Sequence, residues 1–517
     1  MVQFLQIVAI FLIFISLYML WKTKFQAKNS TKLKNLPPEI PGAYFPIGHL
    51  YLFISQTHLA LILANLADKY GPIFTIRLGV HRAIIVSNWE IVKECFTTND
   101  KELAGRPASS AGTYLGYNNA AFGFADYGPY WRSIRKLVLL EVLSSKRLEQ
   151  FKHVRVIEVE TNIKELYSSI MKSGNGPTRV NMSEWFEQLT LNVIMKMITG
   201  KRYKTEDEAG RHFTRTTKEY MYESVQFVLS DVIPLPFLKW FDFQGRIKSM
   251  KRLSQEMDKI VESWVDEHLM KRDLAKDDDQ DFIDVLLSKI DEQVMYGHTR
   301  ETIIKATILT IILAGSDTTS IHLTWLLSLL LNNKHAMFQA QEEIDMKIGK
   351  ERWVEECDIK NLVYLQAIVK EALRLYPPAP LAIPHTAMED CIVAGYRVPK
   401  GTRLMVNVWK LHRDPQIWSD SEKFMPERFL RRHGEFDFSG QNFEFIPFGS
   451  GRRSCPGITF AMQVTHLTLA RLLQGFNFST LGDIPIDMTE GNSITLPKAN
   501  PLEVLVMPGL AHVLYQF

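Results

Sequence analysis

One cysteine near the C-terminus stands in a setting that suits a metal ligand. It lies in a run with three glycines and two arginines, before an apolar stretch with helical spacing: Phe448-Gly449-Ser450-Gly451-Arg452-Arg453-Ser454-Cys455-Pro456-Gly457. Free backbone N–H groups at a helix N-terminus stabilise a cysteine thiolate. The glycines allow the backbone to lie flat against a planar partner. The pattern favours a thiolate beneath a flat cofactor; the alternative is a buried free cysteine beside a glycine-rich turn.

A second candidate centre lies in the apolar stretch from Thr299 to Asn332. Its middle reads Ala314-Gly315-Ser316-Asp317-Thr318-Thr319. A mid-helix glycine costs about 1 kcal/mol relative to alanine, and a buried aspartate is unfavourable without a partner. We expect Gly315 to admit a planar cofactor or dioxygen, Thr318 to donate a hydrogen bond to bound oxygen, and Asp317 to connect the site to bulk protons. The alternative is a kinked helix whose hydroxyls bond their own backbone.

Three shorter patterns could support such a centre. Trp131 and Arg135 are four residues apart and share a helix face, where an indole N–H and a guanidinium could bind a carboxylate. The alternative is an ordinary tryptophan packed beneath an arginine stem. Glu371 and Arg374 are three apart, as in a helical ion pair. His385 ends a proline-rich stretch that we expect to run extended across the pocket, and its charge would depend on pH.

The spacing Phe448-x-x-Gly451-x-Arg453-x-Cys455-x-Gly457 resembles the haem-binding signature of the cytochrome P450 family. The pair Asp317-Thr318 is similar to the acid–alcohol motif of that family, in its oxygen-activating form. Glu371-x-x-Arg374 is similar to its E-x-x-R pair. The resemblance covers nearly the whole chain and implies a mainly α fold with a small β-sheet region, in a single large domain with an N-terminal transmembrane helix.

The resemblance also implies roles for individual residues. Haem b would be the cofactor, and Cys455 would be the axial thiolate ligand of its iron. The other residues expected to bind the haem or its propionates are Trp131, Arg135, His385, Phe448, Arg453 and Gly457. Arg428 would lock the Glu371–Arg374 pair and so hold the cysteine loop in place. His385 stands where many members of the family carry arginine.

Composition and the N-terminus bear on location. The chain has 517 residues, a net charge of +3 and four widely spaced cysteines, which excludes a disulfide framework and implies no nucleic-acid partner. The segment from Phe4 to Trp21 is uncharged and lysines follow it, as in an uncleaved anchor with the bulk of the chain in the cytosol. The alternative is a buried core helix. We expect an endoplasmic reticulum anchor over 1–34, a proline-rich hinge over 35–50 and a catalytic domain over 51–517.

The order of elements can be predicted coarsely. We expect a helix over 59–70, a β-hairpin over 74–88, and a loop over 106–130 that covers the substrate pocket. Residues 140–290 look mostly helical, with Pro234 and Pro236 breaking the middle and a solvated acidic loop at 271–281.

The implied reaction is monooxygenation of a small apolar substrate by O2, with electrons from NADPH through a cytochrome P450 reductase. Several stretches are similar to plant microsomal P450s that include nicotine N-demethylases. We therefore expect an alkaloid substrate, undergoing N-demethylation or oxidative ring closure of the tropane type. The alternatives are a terpenoid hydroxylase, a haem-thiolate isomerase or dehydratase that needs no electrons, and a non-catalytic haem sensor.

Two sets of residues complete the expectations. The candidates for the substrate pocket are small or aliphatic: Leu313, Ala314, Leu381, Ala382, Ile383 and Ile494. The candidates for a reductase-docking patch are basic, and the alternative for them is a solvated helix face: Arg132, Lys136, Lys146 and Arg147.

Overall fold

A computed structural model describes residues 35–55, 57–174, 176–203, 207–233, 238, 242–271, 280–290 and 295–516. The expected membrane anchor, the proline pair at 234 and 236, and most of the acidic loop lie outside these residues.

Helices are the main secondary structure of the described chain, as the sequence predicts. In chain order they are α1 (Leu59–Tyr70), α2 (Trp89–Phe96), α3 (Ser110–Tyr114), α4 (Pro129–Leu137), α5 (Ser145–Gln150), α6 (Lys152–Lys172), α7 (Met182–Thr199), α8 (Glu208–Ser224), α9 (Arg246–Lys271), α10 (Phe282–Lys289), α11 (Arg300–Asn332), α12 (Lys334–Lys347), α13 (Val363–Leu375), α14 (Val408–Leu411) and α15 (Ile458–Gly475).

The strands are short and form small sheets. They are β1 (Ile73–Leu78), β2 (His81–Val86), β3 (Thr178–Asn181), β4 (His385–Thr386), β5 (Cys391–Val393), β6 (Tyr396–Val398), β7 (Arg403–Val406), β8 (Phe476–Ser479) and β9 (Glu503–Pro508). The largest sheet has the order β1-β2-β7-β4, with β1 and β2 as the expected antiparallel hairpin and β7 parallel to β2.

The segment expected to act as a proline-rich hinge is fastened to β1 at two places, and the second is a bridge between Gly48 and Leu78. Glu39 pairs in parallel with Thr75 of β1, and the Thr75 N–H donates to the Pro38 carbonyl at 2.8 Å. Glu39 also forms an ion pair with Arg77 of the same strand. Prolines keep this stretch extended, and the extended backbone adds to the edge of β1.

Helix α11 runs through the core and starts where the sequence predicts. The Thr299 side chain caps it by accepting a hydrogen bond from the Thr302 N–H. Among the described residues it is the one helix long and apolar enough to cross a membrane, but 61% of its most apolar window is buried inside the protein. It is therefore a core helix, and it packs chiefly against α7.

The mid-helix glycine of α11 has a packing explanation that differs from the expected one. A Cβ at Gly315 would lie 2.3 Å from Cδ1 of Ile194 on α7. The glycine therefore allows the close approach of two helices, and the expected approach of a cofactor to its backbone stays a prediction.

Candidate active site

The cysteine loop joins the core to α15 with the expected geometry. The Cys455 N–H donates to the Phe448 carbonyl at 2.9 Å, which closes the loop. The thiol sulfur accepts a hydrogen bond from the N–H of Gly457, the N-cap of α15, at 3.3 Å. Burial raises the pKa of the Cys455 thiol, whereas the Gly457 N–H and the charge of Arg135 lower it. A thiolate at this place needs a further positive partner, such as a metal ion.

The glycines of this loop have different roles. Gly449 has φ +71°, and no atom lies within 4 Å of the place that a Cβ would take, so its backbone faces open space. Gly451 has φ +67°, and a Cβ there would lie 2.5 Å from Oδ1 of Asp100. Only the first of these two glycines leaves room for a bulky group; the second permits close packing on Asp100.

Three arginines gather beside the cysteine loop. Nε and Nη2 of Arg453 donate to the carbonyls of Ala104 and Ala125, both at 2.8 Å. Arg135 donates to the Ser454 carbonyl. The third is Arg106, which donates to the Pro384 carbonyl at 2.8 Å.

The charge of this cluster is not balanced. Burial lowers the pKa of Arg106 to about 9, and the charges of Arg453 and Arg135 lower it further. Burial likewise lowers the pKa of Arg453 to about 10. Asp126 is the carboxylate that counters both shifts. Three arginines facing one carboxylate suit a ligand that carries additional negative charge, as the two propionates of haem do.

The centre of α11 is less buried than the rest of the helix. Ala314 is exposed, although most side chains of the helix are buried. The Thr318 hydroxyl donates to the Ala314 carbonyl at 2.6 Å. In the structure its hydrogen is engaged with the helix backbone and its lone pairs can accept, and the expected donation to bound oxygen stays a prediction.

The carboxyl group next to this threonine has a pKa close to physiological pH. Burial raises the pKa of Asp317 to about 6; the charge of Glu187 raises it further and that of Lys218 opposes this. Glu187 and Lys218 form an ion pair at 2.5 Å, with both side chains partly exposed. A carboxyl group with this pKa can hold or release a proton at physiological pH.

A family model described as "Cytochrome P450" matches residues 37–504. The chain belongs to the cytochrome P450 family. It is 51% identical to the nicotine N-demethylase CYP82E3 of Nicotiana tomentosiformis, over 96% of both chains. It is 50% identical to vinorine hydroxylase of Rauvolfia serpentina, over 100% of this chain and 99% of that one. Xanthotoxin 5-hydroxylase CYP82C2 of Arabidopsis thaliana is 46% identical, over 94% of this chain and 96% of its own.

Solved structures agree with this assignment. A zebrafish cytochrome P450 bound to progesterone superposes with a TM-score of 0.71 at 26% identity, over 87% of this chain and 99% of that one. The expected resemblance and the mainly helical P450 fold with small sheets are thus confirmed. The protein is a haem-thiolate monooxygenase of plant specialised metabolism, and family membership implies an electron-transfer reductase, O2 and an organic substrate. The half-buried Cys455 thiol, the open face at Gly449 and the arginine cluster fit a haem.

Two residues expected to bind propionates are engaged elsewhere in this P450. The Trp131 indole N–H donates to the Phe122 carbonyl at 3.1 Å, so it does not point at a carboxylate. Its ring instead lies beneath two guanidinium groups, with Arg453 4.4 Å and Arg135 5.5 Å from the ring centroid. Trp131 therefore positions the arginines.

His385 is a neutral buried ring. Its Nδ1 hydrogen-bonds the Leu103 carbonyl at 2.8 Å. Burial lowers the pKa of His385 to about 3, and the charges of Arg106 and Arg453 lower it further. In the structure this histidine carries no charge at neutral pH, and Arg106 supplies the positive charge beside it.

Sequence reasoning missed Arg106. The signal that could have found it is charge: Arg106 is the one charged residue between 106 and 125, a stretch otherwise rich in glycine, alanine and asparagine. A single charge in such a loop, which covers the expected pocket, needs a partner.

We predict that Arg106→Leu weakens haem retention. Removing one of three anion-binding guanidinium groups should cost about 1.5–3 kcal/mol, the usual contribution of a hydrogen bond to a charged group. That corresponds to roughly 10- to 150-fold faster haem transfer to apomyoglobin. Arg132→Leu, on an exposed position of α4, is the control. An unchanged transfer rate in Arg106→Leu would place the propionates elsewhere.

The pocket candidates divide into two groups. Leu381 is buried with Ile85 and Met405 in the core cluster around the largest sheet, so it does not face the pocket. Ala382 packs against the neighbouring cluster on the same sheet, with φ +50°. The correction for Leu381 arises because the proline-rich stretch turns there and does not run evenly extended. The candidates that remain at least partly exposed are Leu313, Ala314, Ala382, Ile383 and Ile494.

Proposed function

We propose that this P450 oxidises an alkaloid, with Cys455 as the axial ligand of haem b. The observation that carries the substrate class is the 51% identity to a nicotine N-demethylase across 96% of both chains. The similarity to vinorine hydroxylase, whose name also denotes an oxidation, agrees with it. The finer proposal is N-demethylation or oxidative ring closure of a pyrrolidine alkaloid, of the tropane type.

The residues proposed to hold the haem come from both sides of the cysteine loop. Cys455 presents its sulfur from the N-terminus of α15. Arg106, Arg135 and Arg453 would bind the propionates, and Trp131 keeps the last two in place. Gly449 would leave room for the ring, and Gly457 donates its N–H to the sulfur. The edge of the Phe448 ring stacks against Phe438, which fixes the start of the loop.

When bound, haem with a thiolate ligand supplies the activation of dioxygen and the transfer of one oxygen atom to the substrate. The chain positions the substrate and moves protons. Asp317, with a pKa near 6, takes protons from the solvent side through the partly exposed pair Glu187–Lys218. Thr318 accepts hydrogen bonds at the open face of α11 because its own hydrogen is held by Ala314.

The side chains of the partly exposed pocket candidates favour contact with a small, uncharged part of the substrate. Leu313, Ala314, Ile383 and Ile494 offer aliphatic contacts and no carboxylate for an ammonium group. This lining agrees with binding of the free-base form of an amine, or of its hydrocarbon ring. The same lining would also accept a terpenoid, and a titration with both classes of compound distinguishes the two substrates.

The test is an optical titration of the purified haem protein with nicotine and other pyrrolidine alkaloids, tropane precursors and sesquiterpenes. A substrate that displaces water from the iron shifts the haem from low to high spin. We expect a saturable shift with one alkaloid class. A shift with sesquiterpenes alone would overturn the alkaloid proposal and leave the enzyme class unchanged.

We propose that the reductase docks on the exposed face of α4 and the turn after it. Arg132, Lys136 and Lys146 are exposed there, whereas Arg147 is partly buried and donates to the Glu141 carbonyl at 3.2 Å. Two apolar side chains join the basic ones on this face, since Leu140 is 56% and Leu139 37% exposed. Basic charge around an apolar centre suits an acidic protein partner.

The double variant Arg132→Glu/Lys136→Glu tests this docking face. We expect the apparent KM for reductase to rise on the order of tenfold at low salt, with a smaller effect at high salt. The haem spectrum should not change. Lys334→Glu/Lys347→Glu, which makes the same charge change at two exposed positions of α12, is the control. Equal KM values for the double variant and wild type would exclude this face.

We propose that residues 1–34 anchor the protein in the endoplasmic reticulum membrane as a single span. The apolar run before the lysines supports this proposal, as do exposed apolar side chains just after it: Tyr44, Phe45, Ile47, Tyr51 and Ile54. We predict that the full chain stays with membranes in an alkaline carbonate wash and that deletion of residues 1–34 increases the soluble fraction. Release of the full chain would contradict the anchor.

A further inference from the structure

Two buried histidines on α11 and α15 have unsatisfied ring nitrogens. His322 is 2% exposed, and neither of its nitrogens has a hydrogen-bond partner among the residues that the structure describes. His466 bonds the Met462 carbonyl through Nδ1 at 2.7 Å, while its Nε2 has no partner within the same described residues. Burial lowers the pKa of His322 to about 3 and that of His466 to about 4. Both rings are therefore neutral at physiological pH.

The helices that carry the two rings pack against each other. The charge of His466 further lowers the pKa of His322, so the rings lie within electrostatic reach of each other. Lys370 of α13 carries the other charge that acts on His466, and this charge lowers the pKa of the histidine. The Lys370 ammonium group donates to the Phe436 carbonyl at 2.6 Å. Contacts join α11, α13 and α15 in pairs.

A threonine on α11 adds another unsatisfied group. Seven other hydroxyl side chains of this fully described helix donate to its own backbone carbonyls: Thr307, Thr310, Ser316, Thr318, Ser320, Thr324 and Ser328. Thr319 is buried, and within the described part of the chain its hydroxyl has no partner. Thr319 and His322 are three residues apart and therefore share a helix face.

We propose that His322, His466 and Thr319 hold a cluster of buried water between α11 and α15. A neutral imidazole has one N–H donor and one acceptor nitrogen, and a hydroxyl can serve as both. Burying such groups unpaired costs free energy, and a buried water satisfies about three of them. Four polar atoms share this need: both nitrogens of His322, Nε2 of His466 and the Thr319 oxygen.

The position of the cluster gives it a role in the proposed reaction, and this role rests on the function proposed above. His322 follows Thr318 by four residues, so the two side chains lie on one face, about 5–6 Å apart at Cβ. The Thr318 hydroxyl can accept a hydrogen bond but has committed its own hydrogen to Ala314. A water at His322 can donate that bond. As this water passes a proton to the Thr318 oxygen, the hydroxyl releases its own hydrogen from Ala314 towards the site. The next waters replace that proton from the ammonium group of Lys370, which acts on His466, is partly exposed and regains its proton from solvent, so the imidazole rings stay neutral throughout. His322 is thus a positioning residue for a second proton supply, besides Asp317.

The first test is a crystal structure of the holoenzyme at a resolution that shows ordered water. We expect at least one water within hydrogen-bond distance of His322 and of either His466 or Thr319. Rings enclosed by apolar atoms, without water, would overturn the proposal.

The second test measures peroxide released per NADPH consumed, with nicotine as the probe. Thr319→Val and His322→Leu remove polar partners and should raise this ratio about twofold or more, because protons reach the site more slowly. His322→Gln keeps a donor and an acceptor and should stay closer to wild type. Thr324→Val, which removes a hydroxyl already bonded to Ser320, is the matched control.

The outcomes separate this inference from the proposed function. Unchanged ratios in Thr319→Val and His322→Leu, or an equal rise in Thr324→Val, overturn the proton role. If His322→Leu does not fold, Thr319→Val decides, because it preserves side-chain volume. A wild-type protein without a thiolate-type spectrum in its reduced carbon monoxide complex would instead refute the function proposed for Cys455, whatever water the crystal shows.

Discussion

Replacing Cys455 by serine is expected to abolish the thiolate-type absorption band of the reduced carbon monoxide complex and to reduce turnover to background. The sulfur sits at the N-terminus of α15 with the Gly457 N–H 3.3 Å away, and a serine oxygen there cannot donate the same electron density to iron. The change removes no large side chain, so the fold should persist. Cys455→His separates haem retention from reactivity, since it should keep a haem with an imidazole-type spectrum and without monooxygenase activity.

The control for this prediction is Cys357→Ser. Cys357 is an exposed free thiol, and its loss should leave the spectrum and turnover unchanged. A thiolate-type band that persists in Cys455→Ser would show that another cysteine binds the iron.

The same site predicts how haem uptake depends on pH. Burial raises the pKa of the Cys455 thiol, so the haem-free protein holds a proton that iron must displace. Metal binding to a thiolate releases this proton, and affinity therefore rises with pH until the thiol titrates. In Cys455→His the protonated ligand is an imidazolium with a lower pKa, so the rise should occur at lower pH.

The sequence predicts the parts of the site that local patterns determine. The cysteine loop, α11 with its cap at Thr299, and the β1–β2 hairpin all follow from residue spacing within a short stretch. Asp317 and Thr318 come together because they are neighbours in one helix. These features need no knowledge of distant contacts.

The parts that sequence reasoning missed depend on contacts between distant segments. The anion-binding role proposed for Arg106 depends on the fold, which brings it within reach of the charge of Arg453. Trp131 can pack beneath the arginines because its N–H is bound to the Phe122 carbonyl. Leu381 faces the sheet because the chain turns before β4. A pattern of residue types along the chain does not show which distant segment each side chain contacts.

A contact of this kind also links the buried ion pair on α13 to the cysteine loop. His412 hydrogen-bonds the Arg374 carbonyl through Nδ1 at 3.2 Å, and its Nε2 accepts from the Ile446 N–H at 3.0 Å, two residues before Phe448. Burial lowers the pKa of His412 to about 3. A neutral ring with one donor and one acceptor nitrogen matches both bonds. The expected role of Glu371 and Arg374 in holding the loop thus has a direct physical route.

Glu371→Gln is expected to destabilise the fold strongly. The Glu371 carboxylate is fully buried and receives Nε of Arg374 at 2.7 Å, Nε of Arg428 at 3.0 Å and the Met425 N–H at 2.9 Å. Neutralising it leaves two buried guanidinium groups with no carboxylate between them. Breaking a buried ion pair in this way costs about 3–5 kcal/mol, against a typical total stability of about 5–15 kcal/mol.

The measurement is the free energy of unfolding in urea together with haem content. Glu256→Gln is the matched control, because it removes a carboxylate from an exposed helical pair with Arg252 at 2.9 Å and should cost no more than about 0.5 kcal/mol. Arg428→Lys keeps the charge and loses the bond to the Asp420 carbonyl, so it should fall between the two. The order of the three variants tests the argument, since a purely local ion pair on α13 would make Arg428→Lys neutral. Equal stability of Glu371→Gln and Glu256→Gln would show that the network does not support the cysteine loop.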